Sequence, residues 1–180
     1  MSSSLATDLI KEEYTRRQEK ENIRLFEKIT EDIIDERGEY EGEIDYKGLL
    51  LEAMGTVDLI DTTNNTKLAY NVSKTMIHLL LFYLDEKYSY GDSVEYVIKQ
   101  QKYIYKDKNW DYFNSAEKQL QLGGLSSYRN RLIDKVSRMY AFSKRKTLEV
   151  KGEKIKDTIS DLCNYMIIYC IWYEKGCRRV

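Results

Sequence analysis

Four polar residues near the carboxyl end of the chain are spaced so that their side chains can act together. Glu153, Asp157, Asp161 and Asn164 fall within roughly 80° of one another on a helical wheel drawn at about 100° per residue. The apolar residues of the same stretch, Ile155, Ile159, Leu162 and Met166, fall on the opposite side. Because three carboxylates stacked one turn apart repel each other, the pattern costs stability unless a cation or basic side chains face it.

A second helical pattern, just before the first, can supply those basic side chains. Arg131, Asp134, Lys135 and Arg138 follow the i, i+3, i+4, i+7 spacing of one helix face, and Leu132, Val136 and Met139 lie opposite them. Carboxylate oxygens bind Mg²⁺, whereas Lys and Arg bind phosphate oxygens. A bound cation polarises a phosphoryl group and helps to generate the attacking water. Together the two patterns meet the requirements for pyrophosphohydrolysis of a nucleotide with Mg²⁺ or Mn²⁺ as the cofactor. Acids at i, i+4 are also common on solvated helices, where Lys and Glu pairs stabilise the helix, so a purely structural role stays open.

The elements that position these residues are predicted to be helices throughout. The chain has no proline, and alternating apolar and polar runs are scarce, so long helices are not interrupted. We predict an all-α fold, an antiparallel bundle of four to five helices with the carboxylate helix at its centre. Residues 1–66 are predicted to be an N-terminal helical extension, whose polar run from Thr15 to Asn22 projects or packs only through its alkyl stems.

Several segments are predicted to interrupt or end the helices. One helix is expected from about Lys67 to Lys87, and the sequence YSYGDS then predicts a turn with an Asp or Ser N-cap. Asn, Asp and Ser side chains in KNWDYFNS, residues 108–115, can bond to nearby backbone and interrupt the next helix. Gly123 and Gly124 predict a further break.

Composition limits the classes of protein to which the chain can belong. Its 180 residues include 29 Lys and Arg against 30 Asp and Glu, a balance that argues against direct nucleic-acid binding. No segment approaches the roughly 20 apolar residues needed to span a bilayer, so we expect a cytoplasmic protein without a membrane partner. Cys163, Cys170 and Cys177 are interpreted as small core residues in a reducing compartment.

The order of three motifs resembles a known family. KNWDYFNS, GGLSSYRNRLIDKVSRM and GEKIKDTISDLCNYMIIY, read in that order, resemble the nucleotide modification associated domain proteins that are common in phages. That family is similar to the all-α nucleoside triphosphate pyrophosphohydrolases of the MazG-like and dimeric dUTPase type. The resemblance covers the chain from about Ser93 onward. It implies a nucleotide pyrophosphohydrolase-like domain over residues 67–180, in the cytoplasm of a cell that can be phage-infected.

The resemblance also implies roles for individual residues. It implies a metal site at Glu153, Asp157 and Asp161, and catalytic roles for Asp134, Lys135 and Glu153. The substrate-binding residues that it implies are Asp111, Tyr112, Asn114, Arg131, Lys135, Arg138 and Asn164. Related bundles form dimers or tetramers, and the apolar residues Ile167, Ile168, Ile171 and Trp172 are interpreted as a surface suited to a homo-oligomer interface.

Two departures from the family pattern keep alternatives open. Phe113 stands where a glycine is usual, and Gln100 and Gln101 stand where the family has an acidic pair. Because Mg²⁺ needs several oxygen ligands at once, losing two carboxylates weakens a metal site. A catalytically inactive nucleotide-binding protein that sequesters a nucleotide signal is therefore the first alternative. The second is a structural protein, in which the basic residues form only salt bridges to Glu153, Asp157 and Asp161.

Overall fold

Every residue that the structure describes lies in a helix or directly beside one. The structure, a computed structural model, describes residues 16–31, 48, 51, 55, 66–82, 90–111, 115–145 and 154–175. No strand occurs within these ranges. The predicted all-α fold is therefore confirmed.

Five helical segments form the described core of the protein. We label the segment at 16–31 α1. The others are α2, Thr66–Phe82; α3, Tyr90–Asp111; α4, Ser115–Arg145; and α5, Ile155–Glu174. Within these segments no helix is both long and apolar enough to cross a membrane.

Helix α5 lies at the centre of the bundle, as predicted. It packs most extensively against α2 and α4, and also contacts α3. Ser73 and Cys163 are small residues, so α2 and α5 can approach closely, and the Cys163 thiol donates a hydrogen bond to the Ser73 carbonyl over 3.8 Å. Burial raises the pKa of the Cys163 thiol to about 12 and has the same effect at Cys170. Both residues are core cysteines, as expected, and Cys177 lies outside the described residues.

The carboxyl-terminal half of α5 corrects one interpretation made from the sequence. Ile167, Ile168, Ile171 and Trp172 are each less than one-tenth exposed within the single chain. Their apolar side chains are used by the chain's own core, so they do not form the exposed oligomer surface that their spacing suggested. A dimer or tetramer would have to use other residues.

Helix α1 joins the same core rather than projecting from it. Phe26 is fully buried, and its ring centroid lies 5.1 Å from that of Tyr105 on α3. Glu27 forms an ion pair with Lys102 on α3. Asn22 is 2% exposed, so the end of the polar run from Thr15 to Asn22 packs into the protein. Polarity along the chain did not indicate this, because tertiary packing decides which side of a polar helix is buried.

Helix boundaries differ from the sequence prediction around α3. The helix already begins at Tyr90, so Asp92 and Ser93 lie inside its first turn and do not precede it as caps. It ends at Asp111 and the next helix begins at Ser115, so the break falls within KNWDYFNS as predicted, although the first four residues of that segment continue the helix. Residues 112–114 lie outside the described residues.

A kink at Gly124 divides α4, as the glycine pair predicted. Gly124 has φ 65° and ψ −173°, a backbone conformation that favours glycine. A Cβ on Gly123 would lie 2.6 Å from the Cβ of Ser127, so a side chain there would collide with the next turn. Gln119 spans the kink and donates hydrogen bonds to the carbonyl and hydroxyl oxygens of Ser127. The longer segment after the kink carries the predicted basic residues.

Candidate functional site

The predicted polar stripe of α5 is present, and its members differ in exposure. Asp157 is exposed, the side chain of Asp161 is 17% exposed to solvent, and Asn164 is 5% exposed. The opposite residues Ile159 and Leu162 are fully buried. Over about two helical turns the stripe therefore runs from solvent at Asp157 to the interior at Asn164. Glu153 precedes α5 and lies outside the described residues.

Asp161 is held by two lysines from two different helices. Lys135 of α4 approaches its Oδ2 atom at 2.9 Å. Lys108 of α3 forms an ion pair and a hydrogen bond with its Oδ1 atom. The side chain of Lys135 is 13% exposed, whereas that of Lys108 is 51% exposed. Both carboxylate oxygens therefore face ammonium groups, and one of the two pairs is largely shielded from water.

Helices α4 and α5 run antiparallel, which fixes the order of charges between them. Tyr128 donates a 2.6 Å hydrogen bond to the backbone carbonyl of Tyr165, and the Arg131 guanidinium lies 5.8 Å from the centroid of the Tyr165 ring. Lys135 then meets Asp161, four residues earlier on α5. Each step forward along α4 is thus a step backward along α5.

Arg138 belongs to the same row but makes a local ion pair. Its Nε atom lies 3.1 Å from the Oδ2 atom of Asp134, one turn earlier on the same helix. Continued by one turn beyond the Lys135–Asp161 pair, the antiparallel register leads from Arg138 on α4 toward Asp157 on α5. We call the row formed by Lys108, Arg131, Asp134, Lys135, Arg138, Asp157 and Asp161 the charged strip.

Burial keeps the Tyr128 hydroxyl in its protonated form. The ring is fully buried, and desolvation, with Tyr165 nearby, raises the pKa of Tyr128 well above its usual value. The phenol therefore remains a hydrogen-bond donor to the Tyr165 carbonyl. This bond anchors the end of the charged strip where Arg131 and Tyr165 meet.

Asn164 has an unusual environment for an amide. Neither its Oδ1 nor its Nδ2 atom has a hydrogen-bond partner among the described residues, although both atoms are buried. The Thr158 hydroxyl, also on α5, is buried in the same state. A buried amide usually finds a partner, because an unmade bond costs about 1–3 kcal/mol. The predicted contact between Asn164 and a substrate stays a prediction.

The glutamine pair on α3 separates into an outer and an inner residue. Gln100 is exposed, whereas Gln101 is 3% exposed and its Oε1 atom accepts a 3.0 Å hydrogen bond from the Ser160 hydroxyl. Gln101 therefore acts as a packing contact between α3 and α5. Its side-chain amide accepts this hydrogen bond inside the core, and the donor Ser160 directly precedes Asp161 on α5.

The predicted metal ligands form only part of a site within the described chain. No three His, Cys, Asp or Glu side chains of the described residues come close enough to hold a metal ion. Of the predicted trio, Asp157 and Asp161 lie one turn apart on α5. Among the predicted substrate-binding residues, Tyr112 and Asn114 lie outside the described residues, and so does the side chain of Asp111, the last residue of α3.

The sequence patterns did not identify Lys108, which is a member of the charged strip. It lies 53 residues before its partner Asp161, and α3 shows it only as a basic residue in its last turn. A lysine at a helix carboxyl end is ordinarily explained by the helix dipole, so no local signal marks it as a site residue.

The described part of the chain is thus a helical bundle. In it, the Asp161 carboxylate lies between two lysine side chains where α3, α4 and α5 meet. No protein-family model, curated protein or solved structure matches the chain.

Proposed function

We propose that the charged strip binds a nucleoside triphosphate together with Mg²⁺ or Mn²⁺, and that the protein hydrolyses it with release of pyrophosphate. The observation that carries this proposal is the convergence of Lys108 and Lys135 on Asp161, with Asp157 exposed one turn earlier. Cations suited to phosphate oxygens and carboxylates suited to a divalent metal thus lie within one turn of each other.

The described donors fit a cation that arrives with its nucleotide. Mg²⁺ is usually held by one or two carboxylates, with substrate phosphates and water as its other ligands. Asp157 and Asp161, four residues apart on one helix face, supply two such carboxylates. When bound, the cation would supply positive charge that polarises a phosphoryl oxygen. Two carboxylates are sufficient for this role, although they would not form a closed metal cage.

The other members of the charged strip would bind and orient the phosphates. Lys108 and Lys135 would meet phosphate oxygens as point charges, whereas Arg131 and Arg138 offer planar donors suited to two oxygens at once. Asp134 pairs with Arg138 and would hold that guanidinium toward the substrate. The family resemblance implies catalytic roles for Asp134, Lys135 and Glu153, and we propose that Asp134 orients the ligand or a water molecule.

A thermal-shift screen tests this function. It would compare nucleoside mono-, di- and triphosphates, ribo and deoxy, with and without Mg²⁺ or Mn²⁺, and each hit would be analysed for products. We expect a metal-dependent rise in Tm together with monophosphate and pyrophosphate.

The double variant Asp157→Ala, Asp161→Ala should lose turnover while its helical circular dichroism is retained. Glu21→Ala is a matched control, because Glu21 pairs with Arg24 within α1. Unchanged turnover in the double variant would rule out the assigned site.

Nucleotide binding without hydrolysis is the second candidate. It is favoured by the two glutamines of α3, because Gln101 is engaged with Ser160 and Gln100 is uncharged. Neither position adds a carboxylate to the two on α5. A shift in Tm without any product over hours would select this candidate. If no phosphate compound changed Tm, the charged strip would be a set of structural ion pairs between helices.

A further inference from the structure

The two lysines around Asp161 affect more than the local charge balance. Lys108 occupies one lone pair of Oδ1, and Lys135 occupies one of Oδ2 at 2.9 Å. A divalent cation that approaches Asp161 alone therefore meets two ammonium groups that repel it. Because the side chain of Lys135 is 13% exposed, water screens this repulsion less there than at an open surface.

The same contacts also restrain the lysines. An ammonium group held on a carboxylate has its charge largely compensated, so a phosphate must compete with Asp161 for it. A polyphosphate carries enough negative charge to take over both lysines. Once it does, Asp161 keeps its negative charge and has lost both competitors.

We propose that Lys108 and Lys135 make cation binding at Asp161 conditional on a polyphosphate, so that the two ligands bind with positive coupling and each binds weakly alone. This inference rests on the proposed function for its ligands, but not on hydrolysis. Because coupling between two binding sites is reciprocal, the cation and the polyphosphate raise each other's affinity by the same factor. The protein would thereby select the cation–polyphosphate complex over either component.

The first test measures the affinity of the protein for Mn²⁺ in the absence of any polyphosphate. The electron paramagnetic resonance signal of free Mn²⁺ reports how much of the ion is bound. Lys135→Met should raise Mn²⁺ affinity about tenfold and the more exposed Lys108→Met about threefold, since each removes one repelling competitor. Lys106→Met is the matched control, because Lys106 is an exposed lysine on the same helix as Lys108. It should leave Mn²⁺ affinity within about twofold. Adding Asp161→Asn to Lys135→Met should abolish the gain.

Inorganic pyrophosphate without metal tests the other side, by calorimetry in the presence of a chelator. Asp161→Asn should bind metal-free pyrophosphate about threefold to tenfold more tightly than the natural chain, because both lysines are released. Glu21→Gln is the control and should show no gain. Circular dichroism would verify folding, and Lys108→Met keeps the test decisive if Lys135→Met is unstable, since Lys108 is half exposed.

The inference is overturned if neither lysine variant binds Mn²⁺ more tightly than Lys106→Met, or if Asp161→Asn gains no affinity for pyrophosphate. These measurements use no nucleotide and no turnover. A protein that hydrolyses nucleotides without these gains would retain the proposed function and lose the coupling. A protein that shows the gains without turnover would retain the coupling and lose the hydrolase function.

Discussion

The two halves of α5 differ in their surroundings: the first half presents charged side chains to neighbouring helices, and the second half lies in the apolar core. The first half carries Asp157 and Asp161 toward the charged strip, where Lys108 and Lys135 reach across from α3 and α4. The second half, from Met166 to Trp172, is buried on all sides. A helix can therefore be central to a bundle and still present a charged edge, provided that its polar side chains meet charged partners from its neighbours.

The largest expected loss of stability comes from truncating a buried side chain in the second, apolar half of α5. Ile167→Ala should lower the free energy of unfolding by about 2–4 kcal/mol, because Ile167 is fully buried and the truncation leaves a cavity. Ile133→Ala is a matched control at a residue that is 39% exposed, and should cost about 1 kcal/mol or less. Urea denaturation measures both. Equal losses at the two sites would contradict the central position of this half.

Asp161→Asn removes the carboxylate charge that pairs with both Lys108 and Lys135 in the first half of α5. We expect a loss of about 1–3 kcal/mol, because the largely buried Lys135 is left without its anionic partner. Asp157→Asn, one turn away and exposed, should change stability by about 0.5 kcal/mol or less. If the two substitutions cost the same, Asp161 would not be held as the structure describes.

Two hydroxyl deletions in the first half of α5 compare a buried hydroxyl that has a hydrogen-bond partner with one that has none among the described residues. Ser160→Ala should cost about 1–2 kcal/mol, because it removes the donor to the buried Gln101 Oε1. Thr158→Val should be neutral or slightly stabilising, because its buried hydroxyl has no partner among the described residues. Urea denaturation again gives the free energies. A costly Thr158→Val would reveal a partner in the remainder of the chain or an internal water.

The smallest effect is expected within α4. Asp134 and Arg138 are about half exposed and pair one turn apart, so Asp134→Asn should cost about 0.5 kcal/mol or less. High salt should erase the difference from the natural chain. Thermal unfolding at two salt concentrations measures it. A loss as large as that of Asp161→Asn would place Asp134 in a cross-helix network.

Hydrophobic periodicity by itself determined much of the fold. The absence of proline and the apolar residues at helical spacing were enough to predict an all-α bundle, the buried sides of α4 and α5, and the central place of α5. The glycine pair indicated the kink. These features are local, because one helix face must be apolar to be buried and glycine alone accepts the backbone angle at Gly124 without strain.

Only the tertiary structure decided which charges meet. The sequence offered Arg131, Lys135 and Arg138 as equivalent partners for the acidic stripe. Within the part of the chain that the structure describes, Lys135 pairs with Asp161, Arg138 pairs with Asp134, and Arg131 lies over Tyr165. Lys108 reaches Asp161 from another helix, and the apolar residues assigned to an oligomer interface are core. Helical period fixes which residues share a face, but the register and crossing of neighbouring helices select their partners.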